Sequence, residues 1–193
     1  MKINFNDIAI PDRYKIMSQT IVPRPIAWIV TQNKEGIINI APFSYFNALS
    51  SEPPTLIVSI GHKKDGTPKD TLQNIRNTHK ATICLTPPHL LEKMFQSSEA
   101  LPHNQSEKEK FGIETQIFLN DYPPMIEGVE TAYFCDFFQE INIGGKTVPI
   151  IMKINTVYLD EKIITNKERW HIEAKAVGRI GKWFATDYEI IKL

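Results

Sequence analysis

The chain has 193 residues, of which 42% are hydrophobic and 23% are charged. This is ordinary usage for a globular protein, and the length allows one domain with a sizeable core, so we expect a single domain over residues 1–193. Basic and acidic residues number 22 each, and the zero net charge argues against a general nucleic-acid binder.

The two cysteines, Cys84 and Cys135, lie in apolar, strand-like segments. We expect two buried free thiols and no disulfide framework. The N-terminal residues include several charges before any apolar run, and no stretch approaches the ~18 apolar residues of a membrane span. We therefore expect no signal peptide, no membrane partner and a cytoplasmic location.

The first elements that the pattern predicts form a β-hairpin. Residues 26–32 are rich in Ile, Val and Trp, which favours a strand. Residues 33–36 are typical of a turn, and residues 37–41 are the return strand, which Pro42 is expected to end. Two further strands are predicted at 55–61 and 80–86.

A helix is predicted between these two strands, at about residues 71–79. Asp70 can serve as its N-cap, with Gln73 as the reciprocal partner of a capping box. Leu72 and Ile75 are expected to face the sheet. Shorter helical stretches are predicted at 90–96 and 106–111, on either side of a polar loop at 101–106.

The back half returns to strands. Residues 130–143 are aromatic on both faces, which predicts a strand wrapped into a barrel or placed in an interface. A turn at Gly144-Gly145 joins it to a partner strand at 146–158, in which Pro149 is expected at a bulge or an edge. Hairpin strands with few helices predict a mainly β fold built as a small antiparallel barrel.

The first candidate for binding is Arg24, which lies between Pro23 and Pro25. Each proline restricts the backbone, so Arg24 is held in a stiff segment just before a strand. Such a guanidinium could bind a phosphate or a ring carbonyl. A solvated arginine at a strand entry is an equally good interpretation.

Two other segments suggest a ligand site. Residues 39–47, NIAPFSYFN, combine small, hydroxyl and aromatic residues, which suit the edge and face of a flat heterocycle. From composition alone, a core cluster at a turn is the better interpretation. Lys69, Asp70 and Thr71 open a helix, where free N–H groups and the lysine favour an anion. Taken alone, this is a weak signal.

The remaining motifs are less specific. The five histidines show no metal-binding spacing, so we expect no metal site. His103 could cover a ligand, although a plain surface histidine is the simpler interpretation. The aromatic and basic bend at 178–184 could close over a ligand or pack as an ordinary turn.

Taken together, VPRPIAW at 22–28, Asn39 with APFSYF at 41–46, Pro53-Pro54, and KDT at 69–71 with Asn74-Ile75 resemble the flavin reductase-like, flavoredoxin-type family. The resemblance covers about residues 15–185. It implies an FMN-binding split β-barrel, antiparallel and Greek-key-like, that forms a homodimer with FMN at the interface. By the same resemblance, Lys69 and Thr71 are phosphate ligands. The ring, ribityl or pocket-wall residues that it implies are Arg24, Trp28, Ala41, Phe43, Ser44, Asn47 and Ser51, with Arg179 and Trp183 from a looser C-terminal motif.

The family also implies a function. We expect an NAD(P)H-dependent FMN oxidoreductase that accepts a hydride at flavin N5 and reduces free flavin, a small molecule or a partner protein. No catalytic side chain is expected, since the flavin carries the chemistry. The alternative is an FMN electron carrier without reductase activity. A haem-handling split barrel is a third alternative, which the histidine contexts disfavour.

Overall fold

The computed structural model of the protein describes residues 1–188. Its helices are α1 (Ile10–Thr20), α2 (Asp70–Thr78), α3 (Leu91–Gln96) and α4 (Glu107–Phe111), with short 3₁₀ turns at Phe5–Asp7, Pro88–Leu90 and Glu161–Ile163. Its strands are β1 (Arg24–Pro25), β2 (Ala27–Gln32), β3 (Ile38–Phe43), β4 (Phe46–Ser51), β5 (Pro54–Gly61), β6 (Lys80–Leu85), β7 (Thr115–Gln116), β8 (Met125–Ile126), β9 (Thr131–Glu140), β10 (Thr147–Leu159), β11 (Ile164–Asn166), β12 (His171–Ile172), β13 (Gly178–Ile180) and β14 (Trp183–Ala185).

Seven strands form one antiparallel sheet in the order β3-β2-β6-β9-β10-β5-β4. β3 and β4 are its two edges, yet only Ser44 and Tyr45 separate them in the chain. A two-residue connection can join opposite edges only if the sheet curls until the edges approach. The Ser59 amide donates to the Tyr45 carbonyl at 2.8 Å and holds this connection against β5. The fold is therefore mainly β, a curled antiparallel half-barrel.

Strand β2 shows how the sheet has a core on each face. Successive side chains of a strand point to opposite faces. Ala27 and Ile29 pack in one cluster with Leu72 and Ile75 of α2, so the predicted face of that helix is confirmed. The opposite face of β2 packs in a second cluster, whose members include Trp28, Val30, Met94, Ile113 and Met125.

The long aromatic strand, β9, is explained by the same two cores. Tyr133 and Phe137 pack against the first cluster, while Phe134 is fully buried in the second. Only Phe138, 51% exposed, remains among its aromatic residues as a large surface group. The wrapped-strand prediction is therefore confirmed by contacts within one chain.

Several local predictions were right. The 33–36 turn has Gly36 at φ 88°, and Gly144 and Gly145 take φ 74° and 85° between β9 and β10. Both cysteines are buried and free. Burial raises the pKa of the Cys84 thiol to about 12 and also raises that of Cys135.

Two local predictions were wrong. Pro42 does not end β3 but lies within it opposite Trp28, because an edge strand tolerates a missing N–H. The N-cap of α2 is Lys69, with no side-chain cap, and Asp70 is instead the first helical residue. The prediction for Pro149 was right in one of its two alternatives, because Pro149 lies at an edge: it pairs with Ser59 of β5 and has no partner in β9. The bulges of β10 fall instead at Ile151/Met152 and Ile154/Thr156. Pro149 is buried where β9 has ended, and its carbonyl accepts from the Ile141 amide.

The sequence-based interpretation missed helix α1 and edge strand β4. Within residues 1–188, no helix has the length and apolar content needed to cross a membrane.

Candidate functional site

The main candidate site is a cavity of about 530 Å³, which we call the large cavity. Strand β3 contributes Asn39, Ala41, Pro42 and Phe43 to its wall. The start of α2 contributes Lys69, Asp70 and Thr71, and the other walls come from residues 62–65, residues 97–101 and Glu107. The structure thus brings together four of the predicted ligand residues: Ala41, Phe43, Lys69 and Thr71.

The start of α2 brings positive charge to this wall. The helix has no side-chain N-cap, so its first N–H groups lack the acceptor that a capping residue supplies. The Lys69 ammonium lies 5.4 Å from the centroid of the Phe43 ring, and burial lowers its pKa. Within residues 1–188, no carboxylate lies at ion-pair distance from Lys69, which remains accessible to solvent. This arrangement suits an anion.

A buried hydrogen-bond network fixes the hydroxyl of Thr71 at the same place. The Asn39 side-chain amide donates to Thr71 Oγ1 at 2.9 Å and to Thr31 Oγ1 at 3.2 Å. Asn74 donates to the same Thr31 oxygen at 3.1 Å. Thr71 Oγ1 accepts this bond, and residues 1–188 show no acceptor for its own proton. The Thr71 hydroxyl is therefore free to donate to a ligand.

Four acidic side chains also line the large cavity, namely Asp65, Asp70, Glu99 and Glu107. The Asp70 carboxylate is paired with the Lys63 ammonium at 2.9 Å, which offsets its charge. Glu107 is buried and accepts the backbone N–H of Ile40 at 2.9 Å. Burial raises the pKa of Glu107 and favours its neutral form.

A second, smaller cavity of about 160 Å³ adjoins the first and shares Pro42 and Ser98 with it. We call it the small cavity. It contains two more of the predicted ligand residues, Ser44 and Arg179. Its other lining residues are Tyr14, Ile26, Phe95 and Phe184.

Two predicted ligand residues lie behind the walls. Trp28 is fully buried, so its side chain offers no surface to a ligand, and its indole N–H donates to Ser97 Oγ at 2.9 Å. Arg24 is 5% exposed, and its Nη1 donates to the carbonyls of Ser18 and Ile21 at the end of α1. Its Nε and Nη2 are buried without a hydrogen-bond partner in the described part of the chain.

Three predicted ligand residues lie outside both cavities. Asn47 and Ser51 are exposed on β4, and Asn47 Oδ1 accepts the neighbouring Ala48 amide. Trp183 is 70% exposed at the start of β14. Within the single chain, the structure does not bring these three side chains to the others.

Sequence reasoning also missed residues that the structure places at the site. Pro42 and Ser98 join the cavities, and Tyr14 comes from the unpredicted α1. Pro11 followed by Asp12 is typical of the first turn of a helix and could have revealed α1. Ser98 carries no comparable signal, because its place depends on how α3 packs.

Comparison with known proteins identifies the family. The model of the "Flavin reductase like domain" family matches residues 17–170. The chain belongs to the flavin reductase-like domain family. An uncharacterized protein of Aquifex aeolicus is 32% identical over 187 residues, covering 93% of this chain and 92% of its own.

Two solved structures share the split-barrel flavin reductase fold of this family. Nitrilotriacetate monooxygenase component B from Bacillus cereus superposes with a TM-score of 0.92 at 26% identity, covering 100% of this chain and 98% of its own. The 2-nitrobenzoate 2-nitroreductase of Pseudomonas fluorescens gives 0.90 at 23% identity, covering 100% and 95%.

Members of the flavin reductase-like family bind FMN. The large cavity fits that group on three observations: an uncapped helix start, a lysine without a carboxylate partner in residues 1–188, and a hydroxyl that is free to donate. The apolar wall at Ala41 and Phe43 suits a flat ring system.

Proposed function

We propose that this flavin reductase-like protein is an FMN-dependent oxidoreductase that takes electrons from NAD(P)H. The chemistry supplied by bound FMN is hydride uptake from NAD(P)H at N5 and onward electron transfer to an acceptor. The likeness to a monooxygenase component at 26% identity supports an electron-transfer role.

One observation carries the proposal: Lys69, Thr71 and the uncapped start of α2 line one cavity. A phosphate needs charge and several N–H or O–H donors, and these three features supply both. Lys69 would neutralise part of the phosphate charge, while the α2 amides and the Thr71 hydroxyl would donate to its oxygens.

The other residues of the large cavity would position the rest of the cofactor. Ala41 and Phe43 present apolar surface on the edge strand β3. Residues 97–101 form a further wall, which Trp28 supports through its bond to Ser97. No acid or base of the protein is required at the reacting atom, since hydride transfer occurs between the nicotinamide and the flavin.

The experiment that tests cofactor binding is an FMN titration of the purified protein, followed by visible absorbance and flavin fluorescence. Saturable binding with a perturbed flavin spectrum is expected. A colourless protein that takes up no FMN would contradict the proposal.

Stopped-flow mixing of the FMN-loaded protein with NADH and with NADPH separates the two alternatives. Rapid loss of the oxidised flavin absorbance would support a reductase and show which nucleotide is used. No reduction by either nucleotide, together with reversible chemical reduction, would support an electron carrier.

We further propose that two copies associate around the cofactor and that the protein acts in the cytoplasm. Support for a dimer comes from the exposed edge strand β4, where Leu49 is 49% exposed and the predicted ligands Asn47 and Ser51 face outward. An unpaired strand edge readily takes a protein partner. Light scattering of the FMN-loaded protein should give the mass of two chains, and a monomeric mass would exclude this arrangement.

A further inference from the structure

The small cavity has the charge of an anion site. None of its lining residues is acidic, and Arg179 belongs to its wall. Burial lowers the pKa of Arg179; the neighbouring Tyr14 opposes this shift, and the positive charge of Arg24 adds a smaller lowering. Across residues 1–188, neither arginine has a carboxylate at ion-pair distance. Positive charge removed from water without a counter-ion is unfavourable, so an incoming anion would be stabilised.

The guanidinium of Arg179 is held in a defined orientation. Its Nε donates to the Gly181 carbonyl at 3.0 Å, and its Cζ lies 4.3 Å from the centroid of the Phe184 ring. Within residues 1–188, the two terminal nitrogens of Arg179 have no hydrogen-bond partner. A planar guanidinium with free terminal nitrogens is suited to a carboxylate, which it can bind through two parallel hydrogen bonds.

Arg24 strengthens this site from behind the wall. Arg24 and Arg179 are directly opposite each other in the β1–β13 pair. The Nε and Nη2 atoms of Arg24 are buried and without partners in the described residues. Arg24 does not line the small cavity, so it acts through its positive charge and not by direct contact.

The size and the remaining lining indicate which acids fit. A cavity of roughly 150 Å³ can hold a benzene ring, and the small cavity measures about 160 Å³. Tyr14, Phe95 and Phe184 supply aromatic surface for such a ring. A long aliphatic or highly charged acid would not match this lining.

We propose that the small cavity binds a small aromatic carboxylate, with Arg179 on the carboxylate and the aromatic side chains around the ring. Since the two cavities share Pro42 and Ser98, the acid would lie next to the contents of the large cavity. Its place beside a flavin rests on the proposed function, whereas the anion site rests on the two arginines.

Isothermal titration with benzoate tests the site, using FMN-free and FMN-loaded protein. Benzamide, which has a similar shape and no charge, is the neutral control. We expect saturable benzoate binding to both forms and at least about tenfold weaker benzamide binding, because charge-assisted hydrogen bonds are the stronger kind. Equal binding of the two compounds would overturn the proposal, and so would competition between benzoate and FMN.

Matched variants locate the binding. Arg179→Gln should weaken benzoate binding at least about tenfold, while Arg169→Gln, the same change on the exposed turn before β12, should not.

Ser98→Asp places a carboxylate at an exposed lining position. It should abolish benzoate binding, with Ser98→Asn as control, and it keeps the test decisive if Arg179→Gln does not fold. Unchanged affinity in Arg179→Gln or in Ser98→Asp would overturn the proposal.

The FMN titration reports separately on the proposed function. Benzoate binding without FMN uptake would support the anion site and contradict the oxidoreductase proposal. FMN uptake without benzoate binding would support the oxidoreductase proposal and contradict the anion site.

Discussion

The start of α2 and the β13–β14 hairpin both bring positive charge to the candidate site, but they are built differently. At α2, the charge comes from backbone N–H groups and Lys69, which are neighbours in the sequence. At the hairpin, it comes from Arg179, with Arg24 opposite it on a distant part of the chain. The first site is local and has an accessible lysine, whereas the second depends on the tertiary fold. Variants at each place should therefore have separable effects.

The largest expected effect is that of Lys69→Ala on FMN affinity. Loss of one charge-assisted contact to a phosphate should weaken FMN about 10- to 100-fold, and more at low salt. Lys175→Ala, the same change at an exposed position outside both cavities, is the matched control. Fluorescence titration measures both. Unchanged FMN affinity would mean that the phosphate lies elsewhere, and weaker benzoate binding would show that the two places are coupled.

Gly178→Ala should act mainly on the β13–β14 hairpin. A Cβ at Gly178 would lie 2.9 Å from Pro23 Cβ and would also collide with the Tyr188 hydroxyl. We expect the free energy of unfolding to fall by about 1–3 kcal/mol, as for other overpacked sites, and benzoate binding to weaken more than FMN binding. Denaturant melts measure the change in stability. Gly61→Ala is the control, because the atom nearest to a Cβ at Gly61 is 3.9 Å away. Equal melts for the two variants would contradict this packing.

Thr71→Val tests the local side without changing its charge. The variant removes an acceptor of Asn39 and a donor to the large cavity, although Asn39 keeps its bond to Thr31. We expect a loss of about 1 kcal/mol in unfolding free energy and weaker FMN binding. Thr71→Ser retains the hydroxyl and should restore most of both. If the serine variant behaves like the valine variant, the hydroxyl is not the relevant group.

The smallest effect concerns Glu107, which gives the large cavity a buried carboxyl that the small cavity lacks. Its pKa in the folded protein is raised above the ordinary value of 4.5 by burial. Its contribution to stability is therefore complete below that value and is lost as the pH rises through the raised pKa. Relative to Glu107→Gln, the natural protein should lose stability as the pH rises above 4.5 and through the raised pKa. Denaturant melts at several pH values measure this, with Glu109→Gln, an exposed change on the same helix, as control. A constant difference across the range would refute it.

The parts of the fold that follow local rules could be predicted from the sequence. The β2–β3 hairpin, helix α2 and the β9–β10 hairpin have strong periodicity and glycine turns, and their observed bounds are close to the predicted ones. Strand β4 was missed because FNALSS has little apolar alternation and is exposed over most of its length. Its position is determined by pairing with β5, which a local pattern does not contain.

The residues of the candidate site also differ in how far the sequence predicts them. Lys69 and Thr71 share a wall because they are adjacent at a helix start, which the sequence shows directly. Ser98 and Tyr14 reach the small cavity only through packing of α3 and α1, and no short motif reveals that. Arg24 was singled out for its prolines, but its buried and partly unpaired guanidinium follows from the β1–β13 contact.

The short Ser44–Tyr45 connection makes the shape of the site depend on the curvature of the whole barrel. It ties one sheet edge to the other, and Ser44 itself lines the small cavity. A substitution that flattens the sheet far from the ligand would displace the Ser44–Tyr45 connection and, with it, the cavity wall. Ligand selectivity in this protein should therefore respond to mutations deep in the barrel, and the stiffness of the sheet becomes a property of the binding site.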